Sequence, residues 1–377
     1  MAGRNSNAGA AGKGHGVAGE AGATDDPNAE GGAAGDVANG GGETGGGGAS
    51  AGSGNGGAPA NAPPSCKGGQ TNHCGPNEES CCTSLPIPGQ TFFLGYDGVS
   101  ADYKDKSHSA SVTGFRLDKY EVTVGRFRQF VAAVVGSFRP DAGAGKHAHL
   151  LDGAGLKNIG AAGGNEAGWD PAWSTQLASK AAVWNTNLAC DQAAASWTPS
   201  PGSKELYPIS CVNWYEAYAF CIWDDAFLPS EAEWNDAASA GSQQRAYPWS
   251  SPPSALDIDC AHANYRGKQV ANELDFCTAP GTGSVAVVGA QSPLGDGRWG
   301  HADLAGNVYE WTLDSFTSGL PSSCPDCVNA EALPNKAIRG GGFGNDAEAQ
   351  LVSARNANAP SARSMSMGIR CARIPAP

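Results

Sequence analysis

The run YPISCVNWYEAYAFCIWDDAFLPSEAEWNDAA, Tyr207 to Ala238, contains two helix starts. Asn213 is followed three positions later by Glu216, and Ser230 by Glu233. In each case the small polar side chain can accept from the third helical N–H, while the glutamate reaches back to the N–H of the cap. The spacing predicts helices over WYEAYAFCIWD and EAEWNDAASA. It also assigns the acids: Glu216, Glu231 and Glu233 complete caps and face the positive helix end, and they are read as structural rather than catalytic.

Upstream, LPIPGQTFFLGYD (Leu85 to Asp97) and ASVTGFRLDKYEVT (Ala110 to Thr123) read as strands punctuated by Pro and Gly. Thr123 can cap a following helix whose Phe127, Phe130, Val131 and Val134 share one face. From Arg139 to Ser203 the chain is rich in Gly, Ala and Asn, with Trp169, Trp173, Trp184 and Trp197 interspersed, and reads as a long irregular insertion. His147 and His149 within it could ligate a metal, but no further ligands lie nearby, so they are taken as surface histidines. After Ala240 helical periodicity is sparse and no βαβ alternation occurs. The expected fold is therefore an irregular α+β domain rather than a doubly wound sheet.

Of the 377 residues, the first 64 contain no Leu, Ile, Phe, Trp, Tyr or Cys and cannot bury a core. The expected organisation is a disordered low-complexity tether at 1–64, a small cysteine-rich segment at 65–84, and one domain at 85–377. The net charge is −13, and the portion after residue 64 remains acidic. This disfavours nucleic acid and suits hard cations such as calcium, although charge alone equally describes a solvated surface.

All 12 cysteines follow residue 64, which indicates disulfides and an oxidising compartment: secreted, periplasmic or at the cell surface. Met1 is followed by no apolar segment, so a signal, with a lipid-attachment cysteine, is expected upstream of this start. No stretch is long and apolar enough to span a membrane. In SCKGGQTNHCGPNEESCC, Cys66, Cys74, Cys81 and Cys82 admit a zinc knuckle or a disulfide knot. The adjacent Cys81-Cys82 favours the knot and leaves His73 at the surface. Proximity along the chain suggests Cys190 with Cys211, Cys260 with Cys277, and Cys324 with Cys327. The last pair, CPDC, would be a redox or soft-metal site only in a thioredoxin-like context, which is missing.

Together with the opening run, WGHADLAGNVYEWTLD, AIRGGGF and the closing GIRCAR resemble, in order and spacing, the sulfatase-modifying-factor domain of formylglycine-generating enzymes. The resemblance extends from about Leu85 to the C-terminus. It implies an irregular fold related to C-type lectins, low in regular secondary structure and stabilised by calcium and disulfides. It places calcium on Asp303, the carbonyls of Gly306 and Val308, and Glu310. The residues suit that role, two hard carboxylates flanking a glycine that permits a tight turn. A second calcium is implied at Asn264 and the carbonyl of Tyr265, without a clear acidic partner downstream. The resemblance also pairs Cys221 with Cys371.

The loop RGGGFGNDAEAQL, Arg339 to Leu351, is no phosphate cradle, because Gly344 is followed by Asn345 and Asp346 rather than a Lys-Ser/Thr pair. In the oxidases that the domain resembles, this loop carries a serine and then two cysteines whose thiolates hold copper(I). The matching positions here are Gly342, Asn345 and Gln350. Neutral amides are poor ligands for a soft ion, so copper and formylglycine formation are not expected. Members that make ergothioneine hold iron on a separate helical bundle, for which this chain has no room.

The stretch from Arg339 to Arg370 also resembles the ligand-binding variable region of retroelement-diversified proteins on this fold. Phe343, Asn345, Asp346, Gln350, Asn356, Asn358, Ser361 and Arg363 would then present mixed donors and acceptors around one aromatic anchor. Alternatively, the asparagines satisfy only the loop backbone. Two functions follow. One is an exported or surface-tethered, calcium-stabilised module that binds a polar ligand or an exported protein. The other is a divergent protein-modifying enzyme, formylglycine-generating or another metal-dependent oxidase, with Asp346, Glu348 and His301 as candidate groups.

Overall fold

A computed structural model describes residues 62–67, 73–100, 103–190, 194–267, 275–278 and 283–376. The expected tether lies outside them apart from residues 62–64. Both capping boxes form. Asn213 opens α3 (Trp214–Trp223), its Oδ1 accepting from Glu216 N at 2.9 Å while Glu216 Oε2 accepts from Asn213 N at 3.1 Å. Ser230 opens α4 (Glu231–Ser239) in the same way, with distances of 3.1 and 2.8 Å. Thr123 caps α1 (Val124–Val135), which buries Phe127, Phe130, Val131 and Val134.

The two long runs read as strands are each broken once. β1 (Ser84–Ile87) and β2 (Gln90–Phe93) are separated at Pro88–Gly89, and β3 (Ser109–Val112) and β4 (Phe115–Asp118) at Thr113–Gly114. β1 pairs antiparallel with β4, and β2 with β3. Within the insertion lie the two-residue β5 (Lys157–Asn158) and a helix that the sequence did not announce, α2 (Ala181–Asn187). α2 has no side-chain cap; tertiary packing stabilises it, with Trp184 wedged against Phe127 and Phe130 at 5.9 and 6.0 Å.

The central sheet orders β10 (Asn356–Asn358), β9 (Lys336–Arg339), β6 (Tyr309–Ser315) and β11 (Met367–Gly368). Every residue of β6 is buried. β7 (Ser323–Pro325) and β8 (Cys327–Val328) pair parallel with β3 and β5, and β12 (Ala372–Arg373) returns the chain end to β4. Phe220 packs on Phe127 and Phe130 of α1 at 5.6 and 5.7 Å, and Trp214, Trp311 and Ile369 belong to the same main core; each such aromatic contributes about 2–3 kcal/mol by burial. The architecture is mixed helix and sheet with few helices.

The twelve cysteines form six disulfides: Cys66–Cys82, Cys74–Cys81, Cys190–Cys211, Cys221–Cys371, Cys260–Cys277 and Cys324–Cys327. Cys221–Cys371 joins α3 to the chain end across 150 residues. In the chain-entropy picture, a closure of that length is worth about 5 kcal/mol.

A buried ionic quartet lies beside that bridge. Arg126 on α1 contacts Asp224 at 2.7 Å and Asp118 on β4 at 3.0 Å. Arg373 on β12 contacts the same two aspartates at 2.7 and 2.8 Å. Ser65 joins them, its N–H donating to Asp224 at 2.8 Å and its hydroxyl accepting from Arg126 Nε at 3.0 Å. Burial alone would raise the Asp224 carboxyl, but the two guanidiniums outweigh it and hold it below the usual range.

The surface reading of His147 is corrected. The ring is fully buried against Phe227 at 4.0 Å, with Nδ1 2.9 Å from Glu166 and Nε2 2.9 Å from Glu233. Burial would lower its pKa, but the flanking Glu233 and Glu166 override this and raise it to about 10. His149, partly exposed, stacks on Phe227 at 5.6 Å and titrates below its ordinary value because burial disfavours its charge.

Two outcomes follow. Replacing Arg126 by Leu strands two buried aspartates on one arginine and should cost about 3–5 kcal/mol in calorimetric stability; an unchanged melting temperature would refute the role of the quartet. A His147 pKa raised on folding adds stability that is full below pH about 6.5 and lost as pH rises toward 10. Denaturant titrations should show this decline in the native chain and not in His147→Gln.

Candidate functional site

The segment ADLAGNVYEW turns sharply before β6. Asp303, Gly306 and Asn307 all take positive φ, at 56°, 89° and 61°. Gly306 is required, since a Cβ there would lie 2.6 Å from Asn264 O. Asn307 fastens the turn, donating to Glu121 Oε2 at 2.6 Å and accepting from Ala286 N at 2.7 Å. Asp303 accepts from Gly289 N at 2.6 Å. Glu310 is engaged by Arg370 at 2.7 Å and by Trp234 Nε1 at 2.7 Å.

Glu121, Asp303 and Glu310 are therefore three buried carboxylates around one guanidinium, Arg370. Burial, aided by Asp303 and Glu310, raises Glu121 well above the ordinary range, and Asp303 rises to about 6. Nearby, Asn264 Oδ1 is buried without a hydrogen-bond partner. Excess buried negative charge and an orphaned carbonyl oxygen fit a hard cation in donor type. Among the described residues no three His, Cys, Asp or Glu side chains converge as a metal site.

After β9, Gly340 and Gly341 take φ of 91° and 71° and turn the chain into the loop that ends at Gln350. Gln350 is buried inside it, Nε2 donating to the carbonyls of Gly342, Asn345 and Asp346 at 3.3, 3.4 and 3.2 Å. A Cβ on Gly341 would strike Gln350 Oε1 at 2.3 Å, so glycine and amide fit together. From outside, Arg266 N donates to Asn345 O at 2.9 Å and Tyr247 OH to Ala347 O at 3.0 Å.

Held in this way, Asp346, Ala347 and Glu348 separate two open cavities of about 620 and 750 Å³. Tyr103, Tyr309, Arg355 and Asn356 line the first, and Asp257, Asp259, Tyr265, Arg266 and Asp275 line the second. Acidic side chains outnumber basic ones around the pair.

The eight expected ligand residues do not form one surface. Phe343, expected as an exposed anchor, is buried against Val285 and Val308, because the glycine turn directs it inward. Gln350 is consumed by its own loop. Arg363 makes a bidentate pair with Glu216 at 2.6 and 2.7 Å and donates to Cys211 O at 2.7 Å. Asn358 contacts Met367 Sδ at 3.4 Å, and Ser361 is exposed; neither lines the two cavities. Asp346 and Asn356 do line the first cavity, while Asn345 contributes its backbone to the loop.

His301 is fully buried against Leu117 O at 3.3 Å, and burial beside Arg370 lowers it to about 3; it does not reach the cavities. Tyr103, Tyr247, Tyr309 and Arg355, which line the first cavity, were missed because they come from four separated segments. The YPW run, whose Tyr247 and Trp249 stack at 5.1 Å, was the one local signal.

The donor set does not fit copper(I). The two positions corresponding to the oxidase cysteines are amides, and every cysteine of the chain is tied in a disulfide, so no thiolate faces the loop.

The sulfatase-modifying factor enzyme 1-like domain matches residues 70–375. The formylglycine-generating enzyme of Streptomyces coelicolor is 28% identical over 307 residues, 76% of this chain and 87% of that protein. The inactive C-alpha-formylglycine-generating enzyme 2 of Bos taurus is 26% identical over 300 residues, 76% of this chain and 84% of that protein. Among solved structures, PvdO from Pseudomonas aeruginosa aligns with a TM-score of 0.48 at 20% identity, over 78% of this chain and 94% of that one. The chain belongs to the sulfatase-modifying factor enzyme 1-like family, as a divergent member without the cysteine pair of the formylglycine-generating oxidases.

Proposed function

We propose that the protein is an extracytoplasmic, calcium-stabilised binding module on a formylglycine-generating scaffold, projected by its N-terminal low-complexity tether. The observation that carries this reading is the loop after β9: amides stand at both cysteine positions, yet the loop still borders two open cavities. Six disulfides suit an oxidising compartment, and no described helix is long and apolar enough to cross a membrane. Asp257, Asp259, Asp275, Asp346 and Glu348 outnumber Arg266 and Arg355 among the residues lining the cavities, so the partner is a polar, basic segment of an exported protein. A relative whose name carries the word inactive is compatible with a binding role.

Calcium would be held by Asp303, Glu310 and the carbonyls of Gly306 and Val308, with Asn264 and the carbonyl of Tyr265 at a second position. Its contribution is to neutralise buried carboxylates and lock the turn that precedes β6. The second reading, a divergent modifying enzyme, rests on Asp346 and Glu348 lying in the same cleft.

Chelation by EGTA should lower the melting temperature by several degrees, restored by calcium and not by magnesium; indifference to EGTA would remove calcium from the account. A sulfatase-type cysteine peptide incubated with copper(I) and oxygen should keep its mass, and catalytic formylglycine formation would establish the enzyme reading. Arrayed basic decapeptides should bind the native chain, with Asp346→Asn/Glu348→Gln weakened about tenfold. Equal binding by the double variant would exclude the cleft.

A further inference from the structure

The tryptophan-rich insertion, α3 and the segment before β9 together line a third cavity, of about 550 Å³, apart from the loop after β9. The aromatic side chains around it fall into two groups. Trp169 donates Nε1 to Ser174 Oγ at 3.3 Å, Trp214 donates Nε1 to Thr312 O at 2.9 Å, and Tyr218 donates its hydroxyl to Gly145 O at 3.3 Å. These three are buried and satisfied, and they form the wall. Trp173 and Tyr215 are only partly buried, and neither Trp173 Nε1 nor Tyr215 OH has a hydrogen-bond partner among the described residues. Trp173 packs edge-on to Trp169 and Trp214 at 5.5 and 5.3 Å, which fixes its plane at the cavity.

Charge selects the ligand class. Lys336 Nζ already lies 4.2 Å over the Trp214 ring, where a cationic ligand would stack, and it donates to Leu313 O and Ser315 Oγ at 3.0 and 3.1 Å. An anion would meet the carboxylates of Glu166, Asp170 and Glu331. A wholly apolar ligand would strand the polar ends that remain: the indole N–H, the phenol, one Lys336 hydrogen and one oxygen each of Asp170 and Glu331. A neutral ring that offers C–H faces to Trp173 and Tyr215 and hydroxyls to those groups satisfies all of them.

We propose that this cavity binds a neutral saccharide, stacked on Trp173 and Tyr215 and hydrogen-bonded by Asp170, Glu331 and Lys336. The site is independent of the cleft around Asp346.

The test titrates the full chain with cellobiose and N,N′-diacetylchitobiose, following tryptophan fluorescence and heat, with tetramethylammonium and benzoate as charged comparators. At least one disaccharide should bind saturably. Trp173→Ala should weaken it about tenfold or more, and Tyr215→Phe and Glu331→Gln severalfold. Because Trp173→Ala could disturb packing, the two conservative variants decide the matter wherever its melting temperature falls. Asp346→Asn/Glu348→Gln should bind sugar normally, which separates this site from the peptide cleft. No saturable binding of either sugar, tighter binding of a charged comparator, or unchanged affinity in Tyr215→Phe and Glu331→Gln would overturn the proposal.

Discussion

The buried quartet of Asp118, Arg126, Asp224 and Arg373 closes the fold. Each member comes from a different element, β4, α1, the end of α3 and β12, and Ser65 adds the segment before β1. Two positive and two negative charges balance, so none is left unpaired away from water, where desolvation would cost several kcal/mol per ion. With Cys221–Cys371 alongside, the quartet holds β12 against β4, whose other edge carries β1, the first strand of the domain. The sheets are short and the strands few-membered, so these cross-links replace the long hydrogen-bonded ladders of more regular folds.

The capping glutamates show how such a fold reuses its charges. Glu216 caps α3 and also pairs with Arg363; Glu233 caps α4 and also holds His147; Glu231, in the first turn of α4, takes Arg355 at 2.6 Å. Glu216 and Glu233 each have one partner three residues away and another that arrives from a distant segment, whereas both arginine partners of Glu231 are distant. A local helix signal is thereby converted into tertiary anchoring of the insertion and of the stretch after β9.

The same economy separates scaffold from chemistry. The turn at Gly306 and the glycines after β9 are demanded by backbone geometry and remain. The thiolates that would carry soft-metal chemistry are absent, and Gln350 has taken over an internal structural task that a cysteine could not perform, since a thiol cannot donate to three carbonyls. The loop is filled from within by that amide, and its Asp346–Glu348 edge borders an open cavity on either side.

What the sequence alone determined was local. The caps at Thr123, Asn213 and Ser230, the α1 core face, the mixed and irregular fold class and the missing copper cysteines are all properties of residues within a few positions of one another, where helix geometry and side-chain chemistry act directly. Apart from the Cys221–Cys371 bridge, which the family resemblance implied, the tertiary structure decided what depends on non-local approach. It buried His147 between Glu166 and Glu233, turned Phe343 inward, tied Arg363 to Glu216 and stabilised the uncapped α2 through Trp184. It also gathered Tyr103, Tyr247, Tyr309 and Arg355 around one cavity. Exposure and ion pairing are set by which distant segments meet, and no spacing along a single chain records that.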